Sequence, residues 1–448
     1  MSGTAVYVAP VLTMDPERPR AEAFAVRDDR ILAVGTRAEV TAAAGRGAAV
    51  TTLDGVVLPG LIDAHLHMQR GGLKAMSYTA ADATVDEISV RMLETFHAED
   101  WAGEEPPTLD ERVASLRRFQ VHLHSLGFTG AVDPATTPEE MRGYQEAARR
   151  GALTMRTLAM PYLEIGAAAT PDVDAVIATL GGLGAATGLG DEMLRIGPIK
   201  VYVDGEATKG QALLEEPWDA SGYRGAQRIS DEDYARLVAW CAAHGWGVGT
   251  HAVGGAAIAL VVREYAKAGA AAVRAGRFQI IHGYLEPSAE VIAQAARIGA
   301  IASLQPSIIW HNGAALREKL GGRAERSNPV RSWLDAGTTV AFGSDGPFFE
   351  FDPRRLIWQA VTRRVRGAEE PLSDAEAIEV AEGFAAYTTG AAYAAMAEDD
   401  RGMIRAGALA DWALWAEDPL NAPIDELLGI PVLRTEVGGR TVYERTES

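Results

Sequence analysis

Short apolar runs alternate with amphipathic helical patterns from residue 56 to about residue 400. The runs that are typical of buried strands cover 56–67, 127–133, 152–163, 196–205, 246–252, 277–283, 299–306 and 338–346. Several helical patterns between them begin at Ser, Thr or Asn and end at Gly, as capped helices do. Eight strands that alternate with helices predict an α/β fold, a (β/α)8 TIM-like barrel. An open, doubly wound parallel sheet is the alternative, because strand number does not prove closure.

The two ends of the chain have a different pattern, with short strand-like runs between turn residues. Both ends are typical of antiparallel hairpins. We therefore predict a small β-sandwich domain assembled from both termini, 1–55 plus 402–448. The barrel, which is the expected catalytic domain, would be inserted between them over residues 56–401.

The composition limits the classes of binding partner and the cellular compartment that we expect for the protein. The 448 residues are 48% hydrophobic and 23% charged, as in ordinary globular domains. The formal charge of −19 disfavours nucleic acids and anionic membranes, so we predict neither as a partner. A single cysteine, Cys241, excludes an intrachain disulfide, and neither a signal peptide nor an apolar run of bilayer length is visible. These features predict a cytoplasmic protein.

The first candidate strand ends in a pair of histidines. The segment VLPGLIDAHLH (57–67) carries Asp63, His65 and His67 at alternate positions. Alternate residues of a strand point to the same side, so this parity predicts that both imidazoles can reach one metal ion. Neutral imidazole is a ligand for zinc, copper, iron and nickel. Two polar residues that merely cap the strand end are the alternative interpretation.

A second histidine pair has the same spacing. His122 and His124 lie in FQVHLHSLGF (119–128), where the apolar residues step by three and four, as in a helix. Residues two apart on a helix do not face each other, so one ion cannot easily reach both rings. We therefore predict that this pair lies on the flank and surface of a helix and binds no metal.

Residues suited to metal binding recur where other candidate strands end. A lysine lies within the fourth strand, histidines end the fifth and sixth, and an aspartate ends the eighth. In a (β/α)8 barrel the carboxyl ends of the strands surround the active site. The six residues expected to converge there are His65, His67, Lys200, His251, His282 and Asp345.

These segments together resemble the metal-dependent amidohydrolase superfamily, and more narrowly its amidohydrolase family 3 branch, which includes N-substituted formamide deformylases. The resemblance covers nearly the whole chain. It rests on VLPGLIDAHLH, IKVYVDG, THAVGGAAI, IIHGYLEP, SLQPS, FGSDGPFFEFDP and RAGALADWALW, in the order of the family. The chain departs from the branch at Glu206, where serine is common, and at Gly254-Gly255, where an acidic residue is common.

The resemblance implies a role for each of the six residues. His65, His67 and Asp345 would hold a first divalent ion, most simply zinc. His251 and His282 would hold a second. Lys200 would bridge the two ions after carboxylation of its ε-nitrogen by CO2. The alternative is a single ion beside an unmodified Lys200 that is paired with Asp204 or Asp345.

The expected activity follows from this implied site. Metal-bound hydroxide would attack a non-peptide C–N bond in an N-acyl or N-formyl amide, a cyclic amide or a carbamate. Asp345 would act as the catalytic residue, since it can accept the proton of the water and pass it to the leaving nitrogen. A one-metal deaminase of a heterocyclic amine is one alternative, and a non-catalytic binding module is another.

We expect the pocket to bind a small-molecule substrate. A homodimer is one oligomeric state that the sequence permits. Aromatic residues in the predicted mouth loops suit an apolar or aromatic substrate. We predict substrate contacts for Tyr223, Trp310, His311 and Phe348. Packing within the loops is the alternative for these residues. It is also the alternative for the other aromatic residues of the predicted loops, which are Trp101, Trp218, Phe349 and Phe351.

Overall fold

The computed structural model describes residues 3–78, 106–163 and 172–446. The strands in these ranges are Thr4–Leu12 (β1), Arg20–Arg27 (β2), Arg30–Gly35 (β3), Ala49–Thr52 (β4), Val56–Pro59 (β5), Leu61–Asp63 (β6), Phe128–Thr136 (β7), Arg156–Pro161 (β8), Leu194–Ile196 (β9), Ile199–Tyr202 (β10), Val248–Gly254 (β11), Gln279–Leu285 (β12), Ile301–Leu304 (β13), Thr339–Phe342 (β14), Trp412–Trp415 (β15), Val432–Val437 (β16) and Arg440–Glu444 (β17). The α-helices are Arg37–Ala44 (α1), Met68–Tyr78 (α2), Leu109–Ser125 (α3), Pro138–Arg149 (α4), Val173–Leu183 (α5), Asp231–Ala243 (α6), Gly255–Ala268 (α7), Ala270–Ala275 (α8), Ala289–Ile298 (α9), Pro306–Leu320 (α10), Val330–Asp335 (α11), Pro353–Thr362 (α12), Val380–Tyr387 (α13) and Thr389–Ala394 (α14). Short 3-10 helices cover Gly321–Arg326, Asp374–Glu376 and Leu427–Gly429.

The central strands form two parallel sheets, β6-β7-β8-β9 and β10-β11-β12-β13-β14. Only Gly197 and Pro198 separate β9 from β10, and β9 pairs with β8 while β10 pairs with β11. At the opposite edges, the Ala64 amide donates to the Phe342 carbonyl at 2.9 Å, and the Asp345 amide donates to the His65 carbonyl at 2.7 Å. The predicted α/β class is confirmed, and every predicted strand region between 56 and 346 contains an observed strand.

The strands near the two termini form one mixed sheet in the order β17-β16-β15-β5-β1-β2-β3, with β4 beside β1. This sheet corrects one predicted boundary, because residues 56–59 belong to it and not to the first parallel strand. Proline has no amide hydrogen to continue a ladder, so β5 ends at Pro59, and Leu61 begins β6. Gly60 lies between them, where a Cβ atom would approach Thr129 Oγ1 to 2.3 Å.

The terminal sheet is strongly curled. Along its order, β15 is three strands from β2, which in a flat sheet corresponds to about 14 Å. The rings of Phe24 on β2 and Trp412 on β15 are nevertheless only 5.4 Å apart. Val40 and Ala44 of helix α1 pack with Ala23 and Ala25 of β2. Both ends of the chain therefore enclose a shared apolar core.

The parallel strands are buried on both sides. Ile199, Val201 and Val203 pack with residues of α6 such as Leu237. On the other side of the strands, Ile62 and Ile281 pack with alanines of α14. Within residues 3–78, 106–163 and 172–446, no helix is both long enough and apolar enough to cross a bilayer.

Candidate metal centre

The histidine pair that follows β6 meets a single carboxylate oxygen. Oδ1 of Asp345 lies 3.3 Å from Nε2 of His65 and 3.2 Å from Nε2 of His67. We call His65 and His67 the cavity pair. The predicted convergence is observed, but strand parity is not its cause, because β6 ends at Asp63. The Asp63 side chain accepts hydrogen bonds from the amides of His65 and Ser344, at 2.9 and 3.1 Å, and so holds the turn that carries the pair.

Three further predicted residues come from β10, β11 and β12. The rings of His251 and His282 are 4.5 Å apart, and His282 lies 5.1 Å from the ring of His65. The Lys200 ammonium lies 4.9 Å from the centre of the Tyr202 ring. All six candidate ligands line one cavity of about 410 Å³. Potential ligand atoms of His65, His282 and Asp345 lie within 4.8 Å of one another, close enough for one ion.

Burial sets the charge state of these side chains. It lowers the pKa of His282 to about 4, and it holds the pKa of His65 and of His251 well below the usual value. Burial also lowers the pKa of Lys200 to about 7. For Asp345 burial opposes ionisation, but contacts with the cavity pair outweigh it and hold its pKa well below the usual range. Neutral imidazoles beside an ionised carboxylate are the protonation states that metal ligands require.

Several of the ligand candidates have polar partners behind them. Nδ1 of His282 lies 2.8 Å from Oε1 of Gln305, and the Gln305 amide nitrogen donates to the Ser303 carbonyl at 3.1 Å. This amide orientation leaves Nε2 of His282 as the free lone pair. Such partners orient metal ligands and raise their basicity.

Two carboxylates lie near other histidines of the site, at distances longer than a hydrogen bond. Asp133 Oδ1 lies 3.8 Å from Nδ1 of His67, and Asp204 Oδ1 lies 3.6 Å from Nε2 of His251. Asp204 also accepts backbone hydrogen bonds from Leu213, Val253 and Gly254, each at 2.9 Å. Asp133 and Asp204 each stand at or near the end of a predicted strand, which is the signal that could have identified them.

Of the four predicted substrate contacts, Phe348 lines the cavity, with its ring 5.2 Å from that of His67. Trp310 and His311 are absent from the described lining, because the chain enters α10 at Pro306 and this helix presents Ile308 and Asn312 to the cavity instead. Trp310 packs on Trp358 at 5.5 Å, whereas His311 packs behind Phe349 at 5.8 Å.

The remaining aromatic residues of the predicted mouth loops differ in where they lie. Tyr223 is 46% exposed on the surface, away from the described lining. Trp218 packs against an apolar cluster below the mouth, and Phe351 is buried in the core, whereas Phe349 lines the cavity. Trp101 lies outside the described residues.

The second histidine pair lies on α3, as predicted, and we call it the helix pair. His122 and His124 are not among the described residues that line the cavity. The predicted surface position is wrong, because each is only 1% exposed. His124 is held by the Phe128 carbonyl at 2.8 Å and by Thr154 Oγ1 at 2.9 Å, while the His122 ring packs against Phe351 at 5.3 Å.

Known proteins resemble this chain in sequence and in fold. A sequence model of the amidohydrolase family matches residues 90–443. The chain is 26% identical to N-substituted formamide deformylase from Arthrobacter pascens, over 98% of each chain.

Two solved structures establish the similarity in fold. An uncharacterized metal-dependent hydrolase from Pyrococcus horikoshii superposes with a TM-score of 0.77 at 17% identity, over 94% of this chain and 99% of that one. Atrazine chlorohydrolase from Arthrobacter aurescens, crystallised with zinc, gives 0.63 at 18% identity, over 98% and 95% of the two chains. The family match spans more than half of the sequence and includes Lys200, His251, His282 and Asp345, so the protein belongs to the amidohydrolase family, in its family 3 branch, and is a hydrolase of carbon–nitrogen bonds.

Proposed function

We propose that the protein is a metal-dependent hydrolase that cleaves a non-peptide C–N bond in a small molecule. The preferred bond classes are N-acyl and N-formyl amides, followed by cyclic amides and carbamates. One observation carries the proposal: two histidine nitrogens lie 3.2 and 3.3 Å from the same oxygen of Asp345, in a cavity that also contains Lys200, His251 and His282. The similarity to a formamide deformylase favours the amide classes.

The residues present fit a divalent ion. Imidazole and carboxylate are the donor set that zinc prefers. Among the described residues, Nε2 of His251 is a buried nitrogen without a hydrogen-bond partner. His65, His67 and Asp345 would hold a first ion, and His251 and His282 would hold a second.

Lys200 suits the role of a bridging carbamate. Its burial lowers the pKa to about 7, so much of the amine is neutral at physiological pH. A neutral amine attacks CO2: a new N–C bond forms, one proton is released, and the product is an anion. A buried ammonium, which is costly to desolvate, is thereby replaced by a ligand that cations stabilise.

The chain's own residues then divide the reaction between them. A bound divalent ion supplies Lewis acidity, which lowers the pKa of a water to about 7 and polarises a carbonyl. Asp345, oriented by the cavity pair, would accept a proton from the attacking water and return it to the leaving nitrogen. Phe348 and Phe349 line the cavity and would offer apolar contacts to the substrate.

We also propose the predicted division into a (β/α)8 barrel domain over residues 56–401 and a β-sandwich-like domain from 1–55 plus 402–448, with one change of boundary: β5 (56–59) joins the second domain. The backbone hydrogen bonds between the β14 and β6 regions and the short β9–β10 break support the barrel. The close approach of Phe24 and Trp412 supports a second domain whose two layers come from both ends of the chain.

The test is hydrolysis by metal-loaded protein of a panel of formamides, N-acyl amides, cyclic amides and carbamates. Released amine and acid are measured separately from ammonia. Asp345→Asn protein purified in parallel reveals any contaminating hydrolase. We expect amine release from at least one amide class; no turnover of any class by the wild type would refute the proposal, and ammonia release would indicate a deaminase.

A further inference from the structure

A cation on α2 lies beside the candidate metal ligands. Arg70 is the third residue after His67 and lines the same cavity as His67 and Lys200. Apart from Lys200, the only other lysine or arginine in the described lining is Lys209, which is 49% exposed and paired with Glu206 at 3.3 Å. The Arg70 side chain is 23% exposed, so it is the more enclosed of these two charges.

Arg70 is held on one side only. Its Nε donates to Glu140 Oε1 at 3.0 Å, and its Nη2 donates to the Ala135 carbonyl at 2.9 Å. Glu140 is in turn held by the amide of Thr137 at 2.8 Å. Ala135 adopts a left-handed conformation, with φ +55°, so the backbone is turned out of the strand geometry where its carbonyl meets Arg70.

The remaining nitrogen of the guanidinium is available to a ligand. Nη1 of Arg70 has no hydrogen-bond partner within the part of the chain that the structure describes. The guanidinium is planar and rigid, so the contacts to Glu140 and Ala135 also set the direction of Nη1. Burial opposes the charge of Arg70, but Glu140 outweighs it and raises the pKa, so the group stays cationic throughout the physiological range.

We propose that Arg70 binds an anionic group of the substrate, most simply a carboxylate, and thereby selects amides that carry a negative charge. This inference rests on the proposed C–N hydrolase function and narrows its substrate class. A carboxylate accepts a charge-assisted hydrogen bond from Nη1, while the scissile amide extends toward Asp345. Neutral amides of the same shape lack this contact and are expected to be poorer substrates.

The binding test uses benzenesulfonate and methyl phenyl sulfone, a charged and a neutral molecule of similar shape that lack a scissile amide. Calorimetry on metal-loaded protein should give at least tenfold tighter binding of the sulfonate to the wild type. Arg70→Met should abolish the difference. Arg142→Met, which removes an exposed arginine of α4, should retain it.

The kinetic test compares kcat/KM for 4-(formamidomethyl)benzoate and its methyl ester. The wild type should prefer the acid at least tenfold, Arg70→Lys should keep part of the preference, and Arg70→Met should lose it, so that the ratio of kcat/KM for acid and ester falls to about one. If Arg70→Met unfolds because Glu140 is left unpaired, Arg70→Met with Glu140→Gln removes both charges. Melting temperature and metal content establish that the variants are intact.

The outcomes separate this inference from the proposed function. Arg70-dependent sulfonate binding without hydrolysis of any amide would refute the C–N hydrolase assignment and leave the anion site standing. Hydrolysis with equal preference in the wild type and the Arg70 variants would overturn the role of Arg70. Loss of the preference in Lys209→Met alone would overturn it as well, and so would a wild type that binds the sulfonate no better than the sulfone.

Discussion

The cavity pair and the helix pair share a spacing, an amino-acid type and a degree of burial. His65, His67, His122 and His124 are all between 1 and 4% exposed, and burial lowers the pKa of each. Only the cavity pair meets a common anionic acceptor, Asp345. The comparison teaches that histidine spacing and burial alone do not distinguish a candidate metal site, whereas convergence of two imidazole nitrogens on one carboxylate oxygen separates the two pairs.

The difference has a geometric origin. Successive residues of an α-helix are rotated by about 100°, so His122 and His124 point to nearly opposite sides of α3. Each then finds a separate environment, His122 against aromatic rings and His124 between two oxygen atoms. The turn after β6 imposes no such rotation, and the Asp63 carboxylate holds it in place.

The largest expected effect comes from breaking the cavity pair. We expect His65→Ala or His67→Ala to remove bound metal and reduce turnover to background, because each change removes a nitrogen that faces Asp345. Elemental analysis and kcat measure the two effects. His122→Leu serves as the matched control and should keep both metal and turnover. Equal metal loss in the control would show that the two pairs do not differ in function.

The next largest effect concerns Asp345, the carboxylate that both histidines of the cavity pair contact. Asp345→Asn should retain some metal, because the histidines remain, yet lose about 10²- to 10⁴-fold in kcat. The reason is that asparagine cannot accept the proton of the attacking water. Metal content and kcat are measured on the same preparation, and near-normal kcat would exclude Asp345 as the proton acceptor.

A smaller, partly reversible effect is expected at Lys200. Lys200→Ala should lower metal content from two ions toward one and reduce turnover severely, and acetate or propionate should restore part of it by replacing the bridge. In the wild-type apoprotein, bicarbonate should accelerate reconstitution more strongly as pH rises through about 7, since the neutral amine increases above the pKa of Lys200. If the apoprotein regains full activity with one bound ion and without a need for bicarbonate, Lys200 does not bridge two ions.

The smallest effect concerns the helix pair and stability alone. Burial lowers the pKa of His122 to about 4, whereas an unfolded histidine titrates near 6.5. The unfolded chain therefore takes up protons first, and the folded state loses stability as pH falls from about 6.5 toward 4. His122→Leu should lose less unfolding free energy between pH 7.5 and 5 than the wild type, by about 1–2 kcal/mol. Urea unfolding at both pH values measures this difference, and identical losses would contradict it.

Much of the site could be predicted because strand ends are visible in the sequence. His251, His282 and Asp345 each follow an apolar run of strand length, and parallel strands bring their ends together. The valine face and the lysine face of β10 also agree with strand alternation. What one sequence could not supply is pairing across the fold, such as Gln305 with His282 or Asp133 with His67.

The missed positions have local causes. The residues after β13 continue directly into α10, since proline favours the first turn of a helix, and α10 presents Ile308 and Asn312 to the cavity instead of Trp310. The helical pattern predicts the direction in which each histidine of the helix pair points, but not whether other elements cover both faces of α3. This is why the predicted surface position is wrong. His122 lies against Phe351, which is more than two hundred residues away in sequence and was invisible to a local pattern.

The pairing of β5 with β15 has a consequence for the order of synthesis. β5 lies only six residues before the first ligand of the cavity pair, and its edge is covered by Trp412–Trp415. At a translation rate of about 5–20 residues per second, a ribosome needs roughly 20–70 seconds to make the intervening chain. Throughout that interval the edge of β5 that β15 later covers has no partner from β15, and the later residues of the candidate metal centre have not yet been synthesised.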